Sequence, residues 1–209
     1  MSRKITISKE VILDAALKML IRDGYSSVNI KTLAKEIGCS TQPIAWHFDN
    51  MEGFRRELRE YAMTYAAAKS TSGGSETTAA SSAEDAVSAF EQMGRAYVKM
   101  ALKEPNLFRF LYLGESPISK PYTLKSITAG KEPQAMIDGI AAHTGLSKEQ
   151  VIRCIQNIVI YSHGLTTMVA TGVFKAGEKE LMKMIKDASA GFVRMEMQAE
   201  QSNQKGTQK

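Results

Sequence analysis

Residues 29–48, NIKTLAKEIGCSTQPIAWHF, constrain this chain more than any other stretch. Asn29 stands where it can cap a short helix, and Leu33, Ala34 and Ile37 then fall on its inner side. Gly38 sits just past the end of that helix, where the backbone must turn left-handed. Ser40 is expected to cap a second short helix with Ile44 and Phe48 inward. Pro43 takes its third position, where a first-turn amide has no partner inside the helix and a missing N–H costs little. With that amide gone, the Ser40 hydroxyl is expected to reach the amide of Gln42. Two short helices joined by a tight turn make a helix-turn-helix, which lays its second helix in the major groove of DNA.

The flanking sequence is helical too. Ser8 can cap a first helix to about Arg22, with Val11, Ile12, Ala15, Ala16, Met19 and Leu20 at helical spacing. Asn50 can cap a fourth, carrying Phe54, Leu58 and Tyr61 on one face. Further helices are expected from Ala83, from Pro105, from Pro133 to about His143, from Ser147 to about Phe174, and from Lys179 to about Gln198. Neither strand-like alternation nor an internal repeat is present, so the fold class is all-α. A three-helix helix-turn-helix domain (residues 1–65) is expected to join, through its fourth helix, a larger helical domain (residues 83–200). Between them, residues 66–82 turn to Ala, Ser, Thr and Gly, the composition of a frayed helix end and flexible connector. Residues 201–209 read as a disordered tail.

Apolar residues make up 44% of the 209, enough for a sizeable core, and the net charge of +5 suits a nucleic-acid partner without requiring one. Cys39 and Cys154 are far apart and lack metal-ligand spacing, so both read as reduced thiols. The N-terminus lacks the apolar core of a signal peptide, and no apolar run is long enough to span a bilayer. A cytoplasmic protein without a membrane partner is expected.

Three segments, ILDAALKMLIRDGYSSVNIKTLAKEIGCS, TQPIAWHF and DNMEGFRREL, resemble the TetR family of bacterial transcriptional regulators. The shared pattern is an amphipathic first helix, a Gly-aromatic turn, a helix ending in Ile-Gly, and a short helix ending in His-Phe. It covers roughly the first third of the chain; the remainder matches in layout only. Two positions depart from the pattern. Ala45 stands where the family usually has a phosphate-contacting Tyr, and Met51 where a backbone-contacting Lys is common.

The resemblance implies a dimer on a palindromic double-stranded DNA operator, with repression as the usual output. Ser40, Thr41, Gln42 and Pro43 would open the recognition helix. There Gln42 can bond adenine in a bidentate manner, Thr41 can meet a base or a thymine methyl, and Pro43 offers apolar contact. Lys31 and Thr32, at the start of the preceding helix, are expected at phosphate, helped by the helix N-terminus. Trp46 and His47 are expected along the sugar-phosphate backbone, and Arg3 and Lys4 could form a basic arm. The last two helices are expected to pair with their copies in a four-helix bundle, Gly164 allowing close approach.

By the same resemblance the helical body would hold a small-molecule effector. Tyr97, Phe108, Phe110, Leu111, Tyr112, Met136, Tyr161, His163, Thr167 and Met168 would line the site as apolar walls with a few polar tips. No cofactor is implied. Against an enzyme stands the absence of a phosphate-binding Gly loop, a metal-spaced His or Cys cluster and a nucleophile elbow. The competing reading is a helical dimeric interaction module whose specific DNA binding is weak or lost, with Ala45 and Met51 as its marks.

Overall fold

The structure, a computed structural model, describes residues 7–71, 82–115 and 123–206. Among these residues every regular element is helical, as the patterning predicts. The chain divides into two compact units: Met1–Lys69 with Lys103–Lys120, and Ser70–Leu102 with Pro121–Lys209.

In the first unit α1 (Lys9–Asp23) opens on Ser8, whose hydroxyl accepts from the Val11 amide at 3.3 Å. Its buried arc is Ile12, Leu13, Ala16, Leu17, Met19 and Leu20, while Val11 turns to solvent and Ala15 is half-buried. That arc is broader than the predicted face because α1 packs against α2, α3 and α6 together. Gly24, at φ 88°, ends the helix and leads into a 3-10 turn, Tyr25–Ser27.

Helix α2 (Ile30–Ile37) carries the predicted cap, and in fuller form. Asn29 Oδ1 accepts from the amides of Lys31 and Thr32, both at 3.1 Å, and Thr32 Oγ1 accepts in return from the Asn29 amide at 3.2 Å. Gly38 follows in the left-handed region at φ 76°. Helix α3 (Thr41–His47) begins where expected, but Ser40 makes no side-chain capping bond. Pro43 removes the amide a Ser cap often uses, and the exposed Ser40 does not take up the alternative at Gln42.

Helix α4 (Met51–Thr71) starts with Asn50 Oδ1 accepting from the Gly53 amide at 2.9 Å and buries Phe54, Leu58, Ala62 and Ala66 at i, i+4 spacing. Burial of Ala66 carries it past residue 65, where the connector was expected; residues 72–81 of that connector lie outside the described residues. Helix α6 (Pro105–Tyr112) also packs here. Asn106 Nδ2 donates to the Ile21 carbonyl at 2.9 Å, Arg59 donates to the Leu111 carbonyl at 3.1 Å, and Tyr65 donates to Glu104 at 2.8 Å.

In the second unit lie α5 (Ala83–Lys103, up to Leu102), α7 (Leu124–Ile127), α8 (Lys131–Thr144), α9 (Lys148–Ala170) and α10 (Glu178–Gly206). The Thr123–Ser126 capping box makes α7 a single turn within a stretch read as plain connection. Helix α8 starts two residues before Pro133, leaving the proline in its first turn, and Gly145 closes it. Ser147 and Gln150 form a reciprocal box at the start of α9, which stops at Thr171 and Gly172 (φ 77°) rather than at Phe174. Helix α10 runs through Gly206, into the stretch assigned to a tail; residues 207–209 lie outside the described residues. One core cluster centres on Ile137, Leu146, Val151, Cys154 and Ile155, another on Val98, Leu181 and Ile185. Among the described residues no helix is long and apolar enough to cross a membrane.

Candidate nucleic-acid interface

Two apolar anchors decide which edge of α3 faces out. Ile44 (1% exposed) and Phe48 (5%) are sunk in the core, Phe48 edge-on against Phe54 with ring centroids 5.0 Å apart. On a helix of 3.6 residues per turn, fixing those positions turns the opposite side to solvent. Ser40, Thr41, Gln42 and Ala45 are accordingly exposed, Pro43 is half-buried, and Trp46 keeps 71% of its surface open. The short, well-anchored helix thus presents Thr, Gln and Trp together to solvent.

The start of α2 contributes Lys31 and Thr32, both exposed. Their roles divide. The Thr32 hydroxyl is engaged in the capping box and donates to the Ser27 carbonyl at 2.6 Å, so it is held by its own turn. Lys31 is the residue of the pair that offers phosphate a long charged side chain. His47 also differs from expectation: its Nε2 lies 2.7 Å from the Ile7 carbonyl oxygen, a contact in which the ring nitrogen donates. The half-buried imidazole thus pins the start of α1 to the end of α3 instead of standing free at the backbone-facing edge. Arg3 and Lys4 lie outside the described residues.

Charge pairing holds α1 and α2 in register. Arg22 forks onto Asp23 and Glu36, with Nη1 to Glu36 Oε1 at 3.0 Å. Its hydrogen bonds hold both carboxyls below their ordinary values and raise its own. Lys9 pairs with Glu57 at 2.6 Å and lies 5.3 Å from the centre of the Phe48 ring. The two departures noted in the sequence meet in space. Ala45 and Met51 both border a hollow of about 100 Å³ between the starts of α2 and α4 and the end of α3.

The expected effector residues are divided between the two units. Phe108, Phe110, Leu111 and Tyr112 belong to the first unit: Phe108 and Phe110 are fully buried, Phe110 packs on Tyr25 at 4.9 Å, and Tyr112 packs on Phe108 at 5.4 Å. They are core of the first unit, because α6 packs against α1. Tyr97, Met136, Tyr161, His163, Thr167 and Met168 belong to the second unit. There the Tyr97 hydroxyl is 2.6 Å from His163 Nδ1, and burial lowers the pKa of His163, so the hydroxyl donates to a neutral ring. Thr167 Oγ1 is buried without a hydrogen-bond partner among the described residues, Tyr161 packs edge-on with Phe192, Met136 lies against the Ile137 cluster, and Met168 is 42% exposed. None of them lines the hollow of about 140 Å³ in that unit, whose walls include Val87, Phe90, Leu146, Cys154, Ile158 and Val193. Those residues carry ordinary core periodicity, and no signal in the sequence separates them from simple packing.

Residues 12–58 match the family described as bacterial regulatory proteins, tetR family. The chain is 20% identical over 179 residues to YobS, an uncharacterized HTH-type transcriptional regulator of Bacillus subtilis; that match spans 85% of this chain and 87% of the relative. It is 34% identical over 58 residues to Rv0681, an uncharacterized HTH-type transcriptional regulator of Mycobacterium tuberculosis, covering 28% of this chain and 27% of that one.

Proposed function

We propose that this chain, which is similar to the tetR family of bacterial regulatory proteins over residues 12–58, acts in the cytoplasm as a two-fold dimer that represses by binding a palindromic operator and lets go when a small molecule binds. The observation that carries the reading is the outward edge of α3, with Thr41, Gln42 and Trp46 exposed over the buried anchors Ile44 and Phe48. Gln42 reads a base, Thr41 contacts a base or a thymine methyl, and Lys31 and Trp46 hold the sugar-phosphate backbone.

One short helix touches too few bases for operator specificity, so two copies read half-sites about 34–36 Å apart or a multiple of that. Support for pairing comes from α9, where Ile160 (53% exposed) and Met168 (42%) flank Gly164 on one solvent-facing stripe, and from exposed Met195 and Met197 on α10. Release works through chain continuity. Helix α5 leads directly into α6, and α6 is bonded to α1 and α4 through Asn106 and Arg59. An effector that binds one arrangement of the second unit better than another biases α6, and hence the reading head. A coupling of about 1–3 kcal/mol weakens operator binding roughly 5–150-fold.

The test is selection of binding sites from random DNA with purified protein, followed by two variants on the selected site. Gln42→Ala relaxes preference at one base position. Lys31→Ala weakens all DNA about equally and lowers the salt slope by about 1. Recovery of no preferred site would favour the interaction module instead, with the hollow beside Ala45 and Met51 as the mark of a reading head that has lost its grip.

A further inference from the structure

We infer that the hollow in the second unit is a preformed site for a single-ring apolar molecule the size of benzene or toluene. This rests on the reading of that unit as the effector-holding half, and it names the class of effector. The hollow has a volume of about 140 Å³. It is partly open to solvent; an enclosed apolar cavity of roughly 150 Å³ accepts one benzene or a xenon atom, which sets the scale of the occupant.

Three contacts next to the walls keep the helices from closing on the space. Where α8 passes α5, a Cβ placed on Gly139 would lie 2.5 Å from Ala86 Cβ, so the two helices already touch. The next residues along, Ile140 and Val87, line the hollow. Where α9 passes α10, Arg153 forks onto Glu196 at 2.9 and 2.6 Å and Gln150 Nε2 donates to the Glu196 carbonyl at 3.0 Å. Their neighbours Cys154 and Val151, with Val193 one turn before Glu196, form the opposite wall. Spacing is therefore set by contacts outside the hollow, and the side chains facing it do not fill it.

The wall chemistry selects the occupant. The Thr144 hydroxyl is already donated to the Ile140 carbonyl at 2.8 Å. Burial pushes the Cys154 thiol up, so it stays protonated and behaves as a small apolar group. Among the described residues no Asp, Glu, Lys or Arg lines the space; His143, exposed at the end of α8, does, and the surface that the walls turn to the hollow is apolar. A charged ligand would lose its hydration without compensation.

The experiment uses the purified full chain with benzene, benzoate and xenon, read by thermal unfolding and by xenon NMR. At about ten times its dissociation constant benzene raises the unfolding midpoint by roughly 3–6 °C. Benzoate at the same concentration gives no rise, and xenon shows a bound resonance that benzene displaces. Cys154→Met fills the space and weakens benzene at least tenfold; Cys154→Ala enlarges it and shifts preference toward ethylbenzene. Absence of a benzene shift, an equal shift with benzoate, or an unchanged benzene affinity in Cys154→Met overturns the proposal. Should Cys154→Met fail to fold, an unaltered size preference in Cys154→Ala overturns it instead. Benzene binding that leaves operator affinity unchanged upholds the site and refutes only its role in release.

Discussion

Trp46 separates DNA contact from folding more cleanly than any other residue of α3. With 71% of its surface open, the indole has less than a third covered by the protein. A Trp has roughly 250 Å² to bury, so about 70 Å² is at stake, and at about 25 cal/mol per Å² truncation to Ala costs at most ~2 kcal/mol of stability. Ile44, two positions earlier and 1% exposed, is its control: Ile44→Ala leaves a core void and costs about 2–5 kcal/mol. The order reverses on DNA. An indole N–H donated to a phosphate is a hydrogen bond to a charged group, about 1.5–3 kcal/mol, so Trp46→Ala weakens operator binding roughly 10–150-fold per half-site. Trp46 is the single tryptophan of the chain, so its emission reports the contact directly. Operator titration is expected to change that emission in the native protein. Trp46→Ala is expected to bind weakly with an unfolding midpoint only slightly lowered. Unchanged emission on saturating DNA, together with unchanged affinity in Trp46→Ala, would refute the assignment of this edge to DNA.

Asn29→Ala removes the acceptor for two α2 amides and opens the capping box; a loss of about 1 kcal/mol is expected in urea unfolding, with DNA affinity falling because Lys31 is no longer held in place. Glu196 accepts from Arg153, which holds its carboxyl below the ordinary value, so its contribution is full above the unfolded carboxylate pKa and fades as pH falls through the lower folded value. Glu196→Gln should therefore flatten the fall of the unfolding midpoint below about pH 4.5 while leaving its pH dependence near neutrality unchanged. His163 also has a lowered pKa, from burial, so the native state resists its protonation and stability declines as pH drops below about 6.5; His163→Gln should lessen that decline in midpoints measured between pH 7.5 and 5.5.

The features legible in the sequence are those settled within a turn or two of chain. Asn29 meets the amides of Lys31 and Thr32, Ser147 meets Gln150, and Gly38 and Gly145 take left-handed turns, all because the partner groups are fixed by helical geometry only a few residues away. The outward edge of α3 was legible for the same reason: once Ile44 and Phe48 face inward, Thr41, Gln42 and Trp46 must face out. Tertiary structure decided what covers each inward face. Phe108 and Leu111 read as apolar walls of an effector site and are buried, since periodicity says only that a side chain leaves water and not which body removes it. Packing of α6 against α1 put them in the core of the first unit. His47 and Val11 follow the same rule, since the Ile7 carbonyl that holds the one lies forty residues away and the arc that excludes the other depends on three packed neighbours. The hollow beside Cys154 belongs wholly to this second kind: it exists because Gly139 meets Ala86 and Arg153 meets Glu196, contacts between residues distant along the chain that set the helices apart before any side chain can fill the gap.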